Sequence, residues 1–490
     1  MKILFISHGA QYGGAEIVLL NLIRWLKEKN DYTCDILIQY EGPLMSDFEG
    51  LGKVFLWNPS QIVNPLELSE LHNSIAHEIN SQNYDLMYAN SVFSAPPFSY
   101  LLSANNKIKS IFHIHELEYA ISLSNQSAVE FCLFSTDSII AASKLVKIFL
   151  TERYGLPEKK TCVIYEPLVH QNSSNTENIR KKYSISSSAF LVGGSGSIEW
   201  RKGLDIFLQI VSNVVCDNID RDVVFMWVGG DFLSDYGKQI LWDIKRLGLE
   251  KYVIFTGNVK NPKDFYSEFD LFLLPSREDP FPLVCLENAN LGNPVVCFDR
   301  NVGSTEFIDD SCGRIVKYLS IKEMSLAVKD FCNDENLLNT ASKSIQSRSR
   351  SFSLEKIAPL VDKLLLETFH SKPLLKKAVS DYFITEKKIG CLPKKINSIL
   401  EYDGKFLLYG AGEHTEMLFK YTKLACLEIL AIVDKKIDHN PLLPYEVISP
   451  KKIFDYDFDY ILISSEKFRE EISGELIFLG VDKSSLIFFY

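Results

Sequence analysis

The chain has 490 residues, with 52 Lys and Arg against 63 Asp and Glu, a formal net charge of −11. That length predicts two to four domains with sizeable apolar cores, and so mild an acidity argues against broad nucleic-acid binding. The ten cysteines are scattered with no Cys-x-x-Cys pair, which argues against a disulfide framework or a zinc site and fits a reducing, cytoplasmic compartment.

The opening MKILFISHGA has an apolar run too short for a signal peptide and reads as a first β-strand. No later segment is apolar for long enough to span a bilayer, so any membrane contact is expected to be peripheral, at the inner membrane surface. KILFIS, CDILIQ, YDLMYAN, SIFHIH and SIIAAS read as strands, with helical spacing of apolar residues between several of them. Such alternation predicts parallel sheets covered by helices, the α/β class. Gly13 and Gly14 lie between the first strand and its helix. Paired glycines allow a ligand close to the backbone, and a tight turn explains them equally well. Alternation puts His113 and His115 on one face of their strand, with His115 nearer the C-terminal edge where α/β sites lie. Strand histidines are more often structural. Asn90 ends its own strand at the same edge.

A polar Asn/Ser-rich run over residues 171–177 suits a linker. A second series of strands follows: FLVGGSGS, VVFMWVGG, YVIFTGN, LFLLPS and PVVCFD. Within GSGSIEWRKGLDIFLQIV, Leu204, Phe207, Ile210 and Val211 share a helical face, so a helix should begin near Gly203, just after Arg201 and Lys202. A lone Arg-Lys pair is usually a solvated surface feature. Between a strand and a helix N-terminus it can neutralise a departing nucleoside diphosphate, Arg by a two-bond clamp and Lys by compact charge. Asp220-Arg221-Asp222 and the DYDFDY run have an Asp-x-Asp form, but each precedes its strand. Both read as solvated strand approaches and no metal site is expected.

Residues 275–296, PSREDPFPLVCLENANLGNPVV, hold the most chemistry. Pro280 and Pro282 exclude a helix before them, so one should start near Pro282 and leave the Leu283 and Val284 amides unpaired for an anion. Glu287 falls about one turn further on, placed for neutral hydroxyls. Amides for a diphosphate and a carboxylate for ribose make a nucleotide-sugar site.

Further on, residues 371–395 hold seven lysines with Asp381 and Glu386, read as a solvated linker, or as a surface that meets anionic lipid. KFLLYGAGEHTEMLFKY opens a last unit with a strand, a Gly-x-Gly turn and a helix. Gly410, Gly412 and Asp434 match most of a dinucleotide fingerprint, with Thr415 in place of the third glycine. A ligand site and a ligand-free assembly module are equally compatible with it.

Taken together, the acidic residue at 279, Glu287 after seven intervening residues and the Gly292-Asn293-Pro294-Val295 turn resemble retaining glycosyltransferases of the GT-B fold, glycosyltransferase family four. The resemblance covers residues 1 to about 366. It implies two Rossmann-like domains facing across a cleft: an acceptor-side domain at 1–168 and a nucleotide-sugar donor domain at 169–366, whose last helix crosses back. A Lys-rich linker at 367–400 and a small Rossmann-like module at 401–490 would follow, the last resembling modules attached to sugar-modifying enzymes. By resemblance, the Gly13-Gly14 loop faces the cleft and His115 contacts the donor sugar. Lys202 matches the family lysine, while Ser197 stands at the family arginine position and Arg201 substitutes for it. Asp279, with Glu278 beside it, and the backbone of Phe281, Pro282 and Leu283 would hold the sugar, and Glu287 the ribose. The implied activity is transfer of a sugar, with retention, from a UDP- or GDP-linked donor to a glycan or lipid-linked acceptor, as in cell-surface polysaccharide or lipopolysaccharide synthesis. No cofactor or metal is required in this reading. A nucleotide-sugar epimerase or hydrolase, which would convert donor alone, and an inactive nucleotide-sugar-binding scaffold stand as rivals.

Overall fold

Central strands of this chain are buried on both faces, as their near-continuous apolar runs require of parallel sheets. The computed structural model describes residues 1–62, 64–105, 108–168, 178–216, 221–371, 402, 404–412, 415, 427–437, 439–440, 443–464 and 468–488. The linker expected at 171–177, Asp220, and the Lys-rich segment from 372 onward lie outside the described residues.

The first sheet contains β1 (Lys2–Ser7), β2 (Thr33–Ile38), β3 (Val54–Leu56), β4 (Leu86–Asn90), β5 (Lys109–Ile114), β6 (Ser138–Ala141) and β7 (Thr161–Val163), in the order β3-β2-β1-β4-β5-β6-β7. The second contains β8 (Phe190–Ser195), β9 (Val223–Val228), β10 (Val253–Phe255), β11 (Leu271–Leu274), β12 (Val295–Phe298) and β13 (Gly313–Val316), in the order β10-β9-β8-β11-β12-β13. A third holds β14 (Lys405–Tyr409), β15 (Glu428–Val433), β16 (Val447–Ile448), β17 (Tyr460–Ile463) and β18 (Leu486–Phe488), in the order β16-β15-β14-β17-β18. The α/β class expected from the alternation is what the structure has.

In each sheet the strand order reverses beside the first strand: between β1 and β4, β8 and β11, and β14 and β17. The loops leaving those strands open a crevice at the C-terminal edge, where ligands of open α/β sheets bind. The glycine pair at 13–14 and Asn90 sit at the first reversal. Lys202 and Asp279 sit at the second, and Gly410 at the third.

Two helix starts matter for the site. Gly203 adopts φ +71° and closes a short 3-10 turn, Trp200–Lys202, before helix Leu204–Cys216 begins. A Cβ there would lie 2.1 Å from the Pro275 carbonyl oxygen, so only glycine lets the two loops meet. Pro282, extended at φ −70° and ψ 116°, precedes helix Leu283–Leu291.

The chain passes between the lobes at Leu168, whose N–H donates to Phe352 O at 2.6 Å while its carbonyl accepts from Leu354 N at 3.1 Å. Helix Leu354–His370 then packs on the first lobe. Ile357, Ala358, Val361 and Leu365 are buried with Ile3, Phe5 and Leu22, and Tyr32 donates to Asp362 at 2.7 Å. No helix among the described residues is long and apolar enough to cross a membrane.

Candidate functional site

A cavity of about 330 Å³ lies between the two lobes. The first lobe contributes His8, Gly14, Glu16, His115, Glu116 and Glu166; the second contributes Arg201, Lys202 and residues 278–284. Lys202 donates to Asp279 Oδ2 at 2.7 Å, and Ser276 Oγ donates to the same oxygen at 3.1 Å. Arg201 reaches Asp279 Oδ1 at 3.7 Å, the Glu278 carbonyl at 3.1 Å and Glu199 at 2.8 Å. Burial works against the Arg201 charge, but Asp279, Glu199 and Glu278 outweigh it and hold the guanidinium pKa above its ordinary value. The backbone joins the two motifs as well: Arg277 N donates to Arg201 O at 2.7 Å.

Asp279 is itself pinned, its N–H donating to Asn301 O and its carbonyl accepting from Gly303 N, both at 2.8 Å. Among the described residues, neither the Leu283 nor the Val284 amide has a hydrogen-bond partner. Both line the cavity, two free donors at a helix N-terminus beside two cations. Gly14 faces them from the other lobe, where a Cβ would come within 3.3 Å of the Leu283 side chain. That glycine lets the N-termini of two helices approach across the cleft.

Glu287 and Ser197 are not among the residues lining this cavity. Glu287 is half-buried on the same helix as Leu283, 3.7 Å from Lys263. Burial raises its carboxyl pKa against the opposing pull of Lys263. Tyr266, whose hydroxyl meets Ser195 at 2.7 Å at the end of β8, has its pKa raised by burial and then by the Glu287 charge. Ser197 turns to Glu199, donating at 2.7 Å.

The rings of His113 and His115 lie 3.9 Å apart, as alternation along the strand requires. His115 Nδ1 bonds Glu166, and its Nε2 lies 2.7 Å from Asn90 Oδ1. His113 is buried against Tyr88 at 2.7 Å, and burial, then the neighbouring His115, drives its pKa well below the usual histidine value. Sequence reasoning missed Glu166, Glu16 and His8. Glu16 lies in the first turn of the helix that follows the glycine pair, 3.1 Å from His8. Glu166 follows β7, a strand of three residues, too short to show alternation.

In the third sheet Gly410 has φ +117°, and a Cβ there would lie 2.5 Å from Ser464 Oγ. Asp434 accepts from Ala411 N at 2.8 Å and from the amides of Lys436 and Ile437 at 2.8 and 3.0 Å. Gly410 and Asp434 are therefore brought together, with both carboxylate oxygens already engaged; among the described residues no atom lies within 4 Å of a Cβ built at Gly412. In the DYDFDY run, Asp457 and Asp459 bond Lys405.

Two family profiles fit the two lobes: "Glycosyltransferase Family 4" over residues 12–170 and "Glycosyl transferases group 1" over residues 189–334. The chain is a GT-B glycosyltransferase of the group 1, family 4 type. A third profile, "C2185-like, N-terminal", covers residues 402–487. The glycosyltransferase is 24% identical over 327 residues to the O-antigen biosynthesis glycosyltransferase WclY of Escherichia coli, covering 64% of this chain and 84% of that one. It is 28% identical over 184 residues to the lipopolysaccharide core biosynthesis mannosyltransferase LpsB of Rhizobium meliloti, covering 36% and 52%. Its fold is shared with HepE of Anabaena, solved in complex with UDP and glucose, at a TM-score of 0.63 and 22% identity over 75% of this chain and 100% of that one.

Proposed function

We propose that this glycosyltransferase moves a sugar from a nucleoside-diphosphate donor to a hydroxyl of a glycan or lipid-linked acceptor, with retention and without a metal. The observation that carries the reading is the Lys202–Asp279 contact in a cavity walled by both lobes, beside the two unpaired amides of helix Leu283–Leu291. A diphosphate there would accept from Arg201, Lys202 and those amides, fixed donors aimed where negative charge grows as the donor bond breaks. The sugar would lie against Asp279 and the 281–283 backbone, facing Gly14. Glu287, one turn along the same helix, would take the pentose hydroxyls.

In the step proposed, the bond from the anomeric carbon to the phosphate oxygen breaks and the acceptor oxygen bonds the same face of that carbon. The acceptor's proton passes to the departing phosphate. Arg201 and Lys202 hold the charge that a metal would otherwise offset, and the closed cleft keeps water from the anomeric carbon. The O-antigen and lipopolysaccharide-core biosynthesis roles of WclY and LpsB, and the UDP bound by HepE, support a cell-surface glycan product and a uridine diphosphate donor. Synthesis at the inner membrane surface by a cytoplasmic enzyme fits such an acceptor.

Lys202→Ala should lower kcat about 10²- to 10³-fold, the scale for losing one fixed donor of transition-state charge, with an unchanged circular dichroism spectrum. Transfer assays with product analysis by mass spectrometry, run with and without a chelator, check this. Wild-type turnover in the variant would refute the site, and strict dependence on added manganese would refute the metal-free step.

A further inference from the structure

We infer that Glu166, His115 and Asn90 form a positioning relay that fixes the glycine loop of the first lobe, with the His115 ring held as an imidazolium. The argument is one of donors and acceptors. Asn90 Nδ2 donates to the Ala15 carbonyl at 2.9 Å, which orients the amide and leaves its Oδ1 to face His115 Nε2 at 2.7 Å. An amide oxygen only accepts, so Nε2 must carry a proton. On the other side of the ring, Nδ1 faces the Glu166 carboxylate, also an acceptor. A ring that donates from both nitrogens is cationic. The relay runs from the end of β7 through the ends of β5 and β4 to Ala15, beside the Gly14 that meets Leu283 across the cleft.

Charges from every neighbouring element bear on this ring. Glu166 follows β7, Glu116 follows β5 and accepts from the backbone amide of His115 at 2.9 Å, and Glu16 comes from helix Gly14–Asn30 beside His8. Arg201, Lys202 and Asp279 line the far side of the cavity. His113, 3.9 Å away, is kept neutral and so does not oppose the cation. Burial disfavours the charged His115 ring, yet Glu166, Glu116 and Glu16 prevail and its pKa stands above the ordinary value. The sign follows. The loop is fully held below the pH where a free histidine titrates, and the hold is lost as pH rises through the raised native pKa.

With both nitrogens engaged inside the protein, His115 acts on the donor through the loop it fixes, as a positioning residue. This deepens the proposed glycosyl-transfer reading, and its test separates the two because the ring is titrated without donor or acceptor. In protein carrying ¹⁵N-histidine, with His115→Gln used to assign the signal, the ring should remain doubly protonated at neutral pH. Glu166→Gln should lower its pKa by about one to three units, the range for removing an adjacent opposite charge. The alkaline limb of kcat/KM should move down by the same interval, with donor KM raised several-fold more than kcat falls. Asn90→Asp gives an independent arm. It keeps an acceptor at Nε2 and removes the donor to Ala15, so the ring pKa should rise while donor KM also rises. A neutral single-tautomer ring in the wild-type protein at neutral pH, or a ring pKa unmoved by both substitutions, would overturn the relay.

Discussion

Lys202 and Asp279 are 77 positions apart in sequence and 2.7 Å apart in space, because Gly203 lets the loop after β8 lie directly on the loop after β11. Gly203→Ala tests that dependence at the scale of one residue. It would force a Cβ into a left-handed backbone at φ +71° and to 2.1 Å from the Pro275 oxygen. Left-handed strain of about 1–2 kcal/mol and overpacking of about 1–3 kcal/mol predict a loss of roughly 2–5 kcal/mol in urea unfolding. A midpoint equal to wild type would mean that the two loops are not in contact. Asp279 illustrates what one carbon does at this site. It is nearly fully buried and still reaches Lys202, Ser276 and Arg201, since its backbone is pulled in by Asn301 and Gly303.

Closure is written at the scale of elements, in carboxylates of one lobe that cap helices of the other. Glu306 accepts from Lys144 N at 3.0 Å and Leu145 N at 2.9 Å, at the start of helix Lys144–Tyr154, and from Tyr165 Oη at 3.0 Å. Glu278 does the same for Tyr119 N at 3.1 Å. Burial raises the Glu278 carboxyl pKa, while the Tyr119 and Ala120 amides and Arg201 lower it. Glu306→Ala removes three bonds between the lobes and should cost closure about 1–2 kcal/mol, the worth of a helix N-cap. Small-angle scattering should then show a larger radius of gyration without donor, and donor KM should rise with little change in thermal stability of either lobe. An unchanged scattering curve and KM would show that Glu306 does not hold the lobes together.

For the whole molecule, the last helix of the transferase portion is covalently part of the second lobe's run of chain and energetically part of the first. Ile357, Val361 and Leu365 are buried in the first lobe's core, and burying each is worth about 1.5–3 kcal/mol. Their sum is comparable to the net stability of a domain, about 5–15 kcal/mol. A chain ending at residue 353 should therefore lose the cooperative unfolding of its first lobe, seen by calorimetry against the full-length chain. Retention of that transition would place the helix's stabilising contacts elsewhere.

Local pattern alone determined the parallel α/β class, the strands KILFIS, YDLMYAN and LFLLP, and the helix starts after Gly203 and Pro282. Backbone sterics and apolar periodicity act over a few residues and leave their mark in composition. The short edge strands β3, β7 and β13 were not read from the sequence: VFL, TCV and GRIV are brief, and polar or charged residues interrupt or border each. Of the site, Arg201, Lys202 and Asp279 were legible as charges at strand ends beside helix starts. That Glu287 pairs with Lys263, that Glu166 completes the surroundings of His115, and that Glu306 bridges the lobes was decided by the tertiary structure. Those contacts join residues from separate strands or separate lobes, and which charge meets which depends on how the sheets are ordered and closed on each other.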